Sequence, residues 1–299
     1  MIRFARKDDL ARIKELWNES FGYDDFAEWY FENIFKLDNT LVYVLDYKIV
    51  AMLQRLSYSI KNFGDVTYIY GACTDSKYRK RGIMGALLSY SETIDIEEGK
   101  SAIFLVPENE GLFNFYEKKG YTEHFYKYLR EKEENHIVAL EGNSENSVDI
   151  VEIDKDYHNI YIYSSNNKIL KIDKIVEDML NLYIYVNKNN KCIIRDKSDF
   201  YNQISMHRNS GGRVFCAYKQ NKLVGYSFGY VEDDAYKISE YVVNDDTTYN
   251  QVINGLKTKF SSIIVLNSIN GKIKVKYGCI KMLRKMLNVN KIIINLVYD

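Results

Sequence analysis

The segment TDSKYRKRGIMGALLSY, Thr74 to Tyr90, has the residue types of an anion site. It follows an apolar run, passes the basic cluster Arg79, Lys80 and Arg81, and meets Gly82. Ile83, Leu87, Tyr90 and Ile94 then recur at helical spacing. A strand that enters a helix through a glycine presents unpaired main-chain N–H groups and the positive end of the helix dipole. Cations at such a helix start oppose the dipole by about 0.3–1 kcal/mol each, so a phosphate there would neutralise an otherwise unfavourable cluster. Gly82 has no Cβ to hold an anion away from the backbone. The plainer alternative is a helix with a solvated basic first turn. A P-loop is excluded because GxxxxGK[ST] is missing, and a dinucleotide fingerprint because Gly82 and Gly85 lack the third glycine.

A second segment, FLVPENEGLFNFYEKKGY from Phe104 to Tyr121, places Asn109 after a buried-type strand, then Tyr116, then Gly120 and Tyr121. In that order the two segments resemble the cofactor-binding core of the GNAT superfamily of N-acetyltransferases. The family's Arg/Gln-x-x-Gly-x-Gly/Ala is met by Arg79 and Gly82, with Met84 in place of the second small residue. Its later Asn-x-x-Ala-x-x-x-Tyr-x-x-x-Gly-Phe is met by Asn109, Tyr116 and Gly120, with Leu112 and Tyr121 as near substitutes. Ser76 stands where a proline is common. The resemblance covers about the first 130 residues, and the second half only through element order. The pairing of halves is most similar to the tandem-domain branch that includes the enhanced-intracellular-survival aminoglycoside acetyltransferases and related bacterial proteins. Those carry a third, sterol-carrier-like domain for which no room is expected here.

The resemblance implies transfer of an acetyl group from acetyl-CoA, as co-substrate, to a primary amine by direct attack through a tetrahedral intermediate. It places the diphosphate on N–H groups of Arg81, Gly82, Ile83, Met84 and Gly85, with charge from Arg79 and Lys80. Backbone groups of Cys73 and Thr74 would meet the pantetheine arm and thioester carbonyl, where a donor stabilises the oxyanion. Asn109 would bond the cofactor arm, and Tyr116 would protonate the leaving thiolate, since a phenol of ordinary pKa about 10 keeps its proton at neutral pH. No base is evident. Asp75 reads as a turn cap, and Asp299 is a candidate by analogy with relatives that use a chain-terminal carboxylate. Two other readings stay open: an aminoacyl transferase of the peptidoglycan-branching type, and a non-catalytic acyl-CoA-binding or structural protein. Small-molecule and peptide amines are equally open as acceptors, and monomer and homo-oligomer as assembly.

These residues must be held by an α+β scaffold. The first half reads strand, two helices, three strands, helix, strand, helix, strand, with Ile13, Leu16 and Trp17 on one helix and Phe26, Trp29 and Tyr30 on the next. A polar stretch from Glu131 to Asp149 reads as the link. The second half repeats the order: a strand at Val151 to Ile153, helical segments including Ile169 to Leu182, and strands at Val214 to Tyr218, Lys222 to Val231 and Ala235 to Val243. A helix with Val252, Leu256 and Phe260 then leads to Ser262 to Leu266. The expectation is two tandem GNAT-like domains, each a mixed, mostly antiparallel sheet flanked by helices. Residues 1–140 are expected to bind acyl-CoA, and residues 150–299 to form a degenerate copy without that motif. Where a diphosphate would sit, the copy has NDDTTYN, and Asp245 and Asp246 suit a bare helix start but repel phosphate. The run Glu232, Asp233, Asp234 reads as a hairpin turn.

Composition excludes other classes. Of 299 residues, 46% are hydrophobic and 27% charged, the balance of a globular protein. The 41 basic side chains only match the 41 acidic ones, so a nucleic-acid partner is not expected. No apolar run has the length of a membrane span, and MIRFARKDDLARIKELW has no signal-peptide core, which points to the cytoplasm. Cys73, Cys192, Cys216 and Cys279 have no CxxC spacing, and the histidines are scattered, so neither disulfides nor a metal is expected.

Overall fold

The computed structural model describes residues 1–129, 148–153, 162–163, 169–265, 273–283 and 292–293. Most of the polar stretch 131–149, and Asp299, lie outside them. The chain begins β1 (Ile2–Phe4), α1 (Leu10–Phe21), α2 (Asp25–Asn33), β2 (Thr40–Leu45), β3 (Lys48–Ile60) and β4 (Gly64–Thr74). It continues through α3 (Ile83–Glu97), β5 (Ala102–Leu105), α4 (Glu110–Glu117) and β6 (Glu123–Leu129). Next come β7 (Asp149–Glu152), β8 (Ile162–Tyr163), β9 (Ile169–Leu170), α5 (Ile172–Val186), β10 (Lys191–Cys192) and α6 (Lys197–Asn209). The last elements are β11 (Gly212–Lys219), β12 (Lys222–Glu232), β13 (Ala235–Val243), α7 (Asp246–Lys257), β14 (Ser262–Val265), β15 (Ile273–Met282) and β16 (Ile292–Ile293).

Two compact units result. The first takes Met1–Tyr126, Lys191–Ile194 and the described part of Lys276–Ile294. A split into 1–140 and 150–299 therefore does not follow the units: β15, from the far end of the chain, enters the first sheet between β5 and β6. That sheet runs β1-β2-β3-β4-β5-β15-β6. On β3, alternation sends adjacent side chains to opposite faces. Arg55 turns toward α3, where Asp95 takes its guanidinium at 2.7 Å, while Gln54 accepts from the Tyr30 hydroxyl of α2 on the other face. The α3 face is packed with Leu41, Leu53, Ile69, Leu87, Ile103, Phe113, Tyr116 and Tyr121. The α1–α2 face is aromatic: Trp17 stacks on Tyr30 at 5.2 Å and also meets Phe31 and Tyr70.

The second unit repeats the plan. β1 pairs with β2 across α1 and α2, and β7 pairs with β11 across α5 and α6. Antiparallel β2-β3-β4 corresponds to β11-β12-β13, and the parallel crossover β4–α3–β5 to β13–α7–β14. The tandem α+β expectation holds, as does the hairpin turn at Asp233 and Asp234, both left-handed at φ 50° and 58°. One boundary moves: Ile169 and Leu170 are strand, because Lys171 stays extended (φ −79°, ψ 143°) and the helix starts at Ile172. Among the described residues no helix is long and apolar enough to cross a membrane.

Candidate active site

β4 and β5 pair in parallel only at Val66–Tyr68 against Ala102–Phe104, yet β4 runs on to Thr74. Beyond Tyr68 the two strands part, leaving the β5-side edge of β4 without that partner. Within this stretch the β3–β4 register slips: Met52 faces Cys73 and Gln54 faces Tyr70, so Gly71 and Ala72 together oppose Leu53. Two residues against one is a β-bulge, which leaves a main-chain group out of the ladder and is common beside active sites. Gly71 adopts φ 56°, and a Cβ there would stand 2.7 Å from the Trp17 ring. This bulge was not anticipated from the residues, although a glycine inside a strand run is its usual signal.

Cys73 and Thr74 follow at the open end of β4. The Cys73 thiol is buried near Ser20 of α1, and burial pushes it up to about 12, so it stays protonated. The Thr74 carbonyl accepts from Arg79 Nε at 3.0 Å. Asp75 accepts from Lys77 N at 3.0 Å and from Arg12 at 2.6 Å, and is committed as a cap and ion-pair partner. Ser76 donates its N–H to Glu19 at 2.8 Å, a bond that proline could not make.

The chain then turns through left-handed Lys80 (φ 62°) and Gly82 (φ 78°) into α3. No side chain caps the helix at Gly82, and its first turn holds no acid. A Cβ built on Gly82 meets nothing within 4 Å, so open space adjoins the helix start. Arg79, Lys80 and Arg81 are exposed around it. Ile83 is buried, and Met84, half-buried, packs against the same core. Lys119, which no sequence pattern marks, brings Nζ to 2.8 Å from where a Gly85 Cβ would be.

Tyr116 is buried in one packed cluster that also takes in Ala72, Ile83, Met84 and Leu105. Burial raises its pKa above the usual phenol value. Asn109 is the N-cap of α4, its Oδ1 accepting from Leu112 N at 3.1 Å. Asn109 thus has a structural task of its own, and Asp299 lies outside the described residues. Among those residues no group of three or more His, Cys, Asp or Glu could hold a metal.

In the second unit the equivalent features differ. β13 bulges at Ser239, and beside it Glu240 receives Arg195 at 2.9 and 3.0 Å and Gln203 at 2.9 Å. Asp245 caps α7 through Thr248 N at 2.7 Å.

The family model of the acetyltransferase (GNAT) domain matches residues 1–124. No curated protein matches the sequence. Among solved structures, a conserved protein of unknown function from Enterococcus faecalis V583, described as a probable N-acyltransferase, aligns with TM-score 0.65 at 12% identity, over 95% of this chain and 72% of its own. Eis1 from Mycobacterium abscessus aligns with TM-score 0.63 at 10% identity, over 94% and 73%. A GCN5-related N-acetyltransferase from Anabaena variabilis aligns with TM-score 0.61 at 13% identity, over 95% and 73%. Residues 1–124 are thus similar to the GNAT acetyltransferase domain, and the whole fold is similar to that of Eis1 from Mycobacterium abscessus and of the Enterococcus faecalis protein.

Proposed function

We propose that the protein is a cytoplasmic N-acetyltransferase that moves an acetyl group from acetyl-CoA to a primary amine on a small molecule or peptide. The observation that carries this reading is the parting of β4 from β5 beside an uncapped, basic helix start. The slot suits an extended pantetheine arm, and the helix start suits the diphosphate it ends in. The open space at Gly82 and the inward packing of Met84 fit such a ligand.

In this reading Arg81, Gly82, Ile83, Met84 and Gly85 offer main-chain N–H groups to the diphosphate, and Arg79 and Lys80 add charge. Main-chain groups of Cys73 and Thr74, with those freed at Gly71 and Ala72, hold the arm and the thioester carbonyl. Asn109 adds a bond to the arm from its amide nitrogen, since Oδ1 is engaged. The amine nitrogen attacks the thioester carbon, negative charge gathers on the oxygen, and main-chain N–H groups stabilise it. The C–S bond then breaks, the sulfur takes the Tyr116 proton, and the proton shed by the ammonium returns through water to the phenolate. Asp75, held by Arg12 and Lys48, is not the base.

The second unit is read as binding no acyl-CoA, because its helix start is capped by Asp245 and carries Asp246 in its first turn. The basic start of α3 favours CoA over aminoacyl-tRNA as donor. Calorimetry with acetyl-CoA, followed by thiol release across a panel of amines, tests the reading. Saturable binding with amine-dependent release is expected, and no binding at millimolar acetyl-CoA would sink it.

A further inference from the structure

Residues from beyond position 272 reach the helix that carries Tyr116. β15 pairs with β5 from Cys279 opposite Leu105 to Met282 opposite Ala102. Lys276, on β15, places Nζ 2.7 Å from Glu117 Oε1 and 4.6 Å from the centre of the Phe113 ring. Phe113 and Glu117 stand one turn apart on α4, and Tyr116 lies within that turn. A single ammonium held at both points fixes the rotation of α4 about its own axis.

That constraint matters because α4 has only 8 residues, too few to hold a direction unaided. A roll of ~20° would carry an atom ~6 Å from the axis through ~2 Å. Misplacement of a reacting group by about 1 Å can cost 100-fold in rate. Two further contacts from β15 act on the same region. Cys279 is fully buried in the Tyr116 cluster, and Lys281 joins Glu92 of α3 at 2.7 Å while also donating to the Lys119 carbonyl at 3.2 Å. Gly278 leaves room for Phe125, whose ring lies 2.0 Å from where a Cβ would be.

We propose that Lys276 is a positioning residue for acetyl transfer, setting the roll of α4 through Glu117 and Phe113 so that the Tyr116 hydroxyl meets the thioester sulfur. This rests on the function proposed above. The test uses full-length Lys276→Met, Lys276→Arg and Glu117→Gln, with acetyl-CoA affinity by calorimetry, kcat with a responsive amine, and Tm. Lys276→Met is expected to lower kcat about tenfold or more with acetyl-CoA affinity unchanged, and Lys276→Arg to recover most of the loss. In a Tyr116→Phe background, Lys276→Met should cost nothing further, because there is no hydroxyl left to aim. An undiminished kcat, or an equal loss in the Tyr116→Phe background, overturns the role. If Lys276→Met fails to fold, Glu117→Gln carries the same comparison. Failure of the unmodified protein to bind acetyl-CoA removes the proposed function and this role together, whereas normal binding with an inert Lys276→Met removes this role alone.

Discussion

Lys119 Nζ stands 2.8 Å from the point where a Cβ on Gly85 would lie, so its ammonium rests against the first turn of α3. A cation at that end of a helix is unfavourable by about 0.3–1 kcal/mol unless an anion shares the site. Lys119→Ala should therefore weaken acetyl-CoA binding roughly fivefold, the scale of one exposed ion pair, and leave the saturated rate unchanged. Equal affinity in the variant and the unmodified protein at low salt would mean that Lys119 faces no phosphate.

Gly82 separates conformation from contact. Its φ of 78° disfavours a side chain, although nothing stands within 4 Å of a Cβ built there. Gly82→Ala should lose about 1 kcal/mol of stability through backbone strain alone. Asn tolerates the left-handed region better, so Gly82→Asn should melt close to the unmodified protein. Its side chain would still project into the space assigned to the diphosphate, and acetyl-CoA affinity should fall roughly tenfold or more in both variants. Normal affinity in Gly82→Asn would show that the ligand does not approach that face.

What local pattern can encode was legible. β13 lies at Ala235–Val243, as its alternation indicates, and α3 opens directly after Gly82 as the basic turn implies. The packing of Ile83 and Met84 into one core cluster with Tyr116 followed from residue order, because one helix and one strand separate the two segments. β15 is the contrary case. Ile273, Val275, Tyr277 and Cys279 alternate as a strand should, yet nothing local says that the partner is Ala102–Leu105 of the first sheet. Periodicity fixes the face of a strand but not its neighbour. Lys119 was illegible for the same reason, since it meets Gly85 only once α4 is folded beside α3. Ile169 and Leu170 fit the helical register of the residues that follow, and only the extended backbone of Lys171 ends the helix there.

Tyr116 makes a prediction in pH. Burial raises its pKa above the usual value, so the protonated form persists and is lost only as pH rises through that raised value. The saturated rate should show no alkaline decline from Tyr116 up to about pH 10, the usual phenol value. Tyr116→Phe should lower kcat by roughly hundredfold with little change in acetyl-CoA affinity. A decline centred below pH 10 in the unmodified protein, absent from Tyr116→Phe, would contradict the buried, protonated phenol.

His207 makes the last prediction, one of stability in the second unit. Its ring is 1% exposed, stacks on Tyr230 at 5.1 Å, and places Nδ1 2.9 Å from the Gln203 carbonyl. Burial holds its pKa down to about 4, against an ordinary value of 6.5, although nearby Glu240 pulls the other way. Below the ordinary value the unfolded chain takes up a proton that the folded chain refuses. The stabilisation is thus complete above pH 6.5 and drains away as pH falls toward 4. At about 1.4 kcal/mol per pH unit, the loss across that window is at most about 3 kcal/mol. Paired acids such as Asp9, whose pKa is lowered by Arg3, add their own losses only at lower pH. Comparing His207→Phe with the unmodified protein isolates the histidine. Both tryptophans, Trp17 and Trp29, lie in the first unit, so the unfolding of the second is better followed by far-ultraviolet circular dichroism. The variant should be less stable at pH 7, with the Gln203 carbonyl losing the second donor that Nδ1 supplies, and should lose less stability between pH 6.5 and 4. Parallel losses in the two proteins would mean that His207 accepts its proton in the folded state as readily as in the unfolded one.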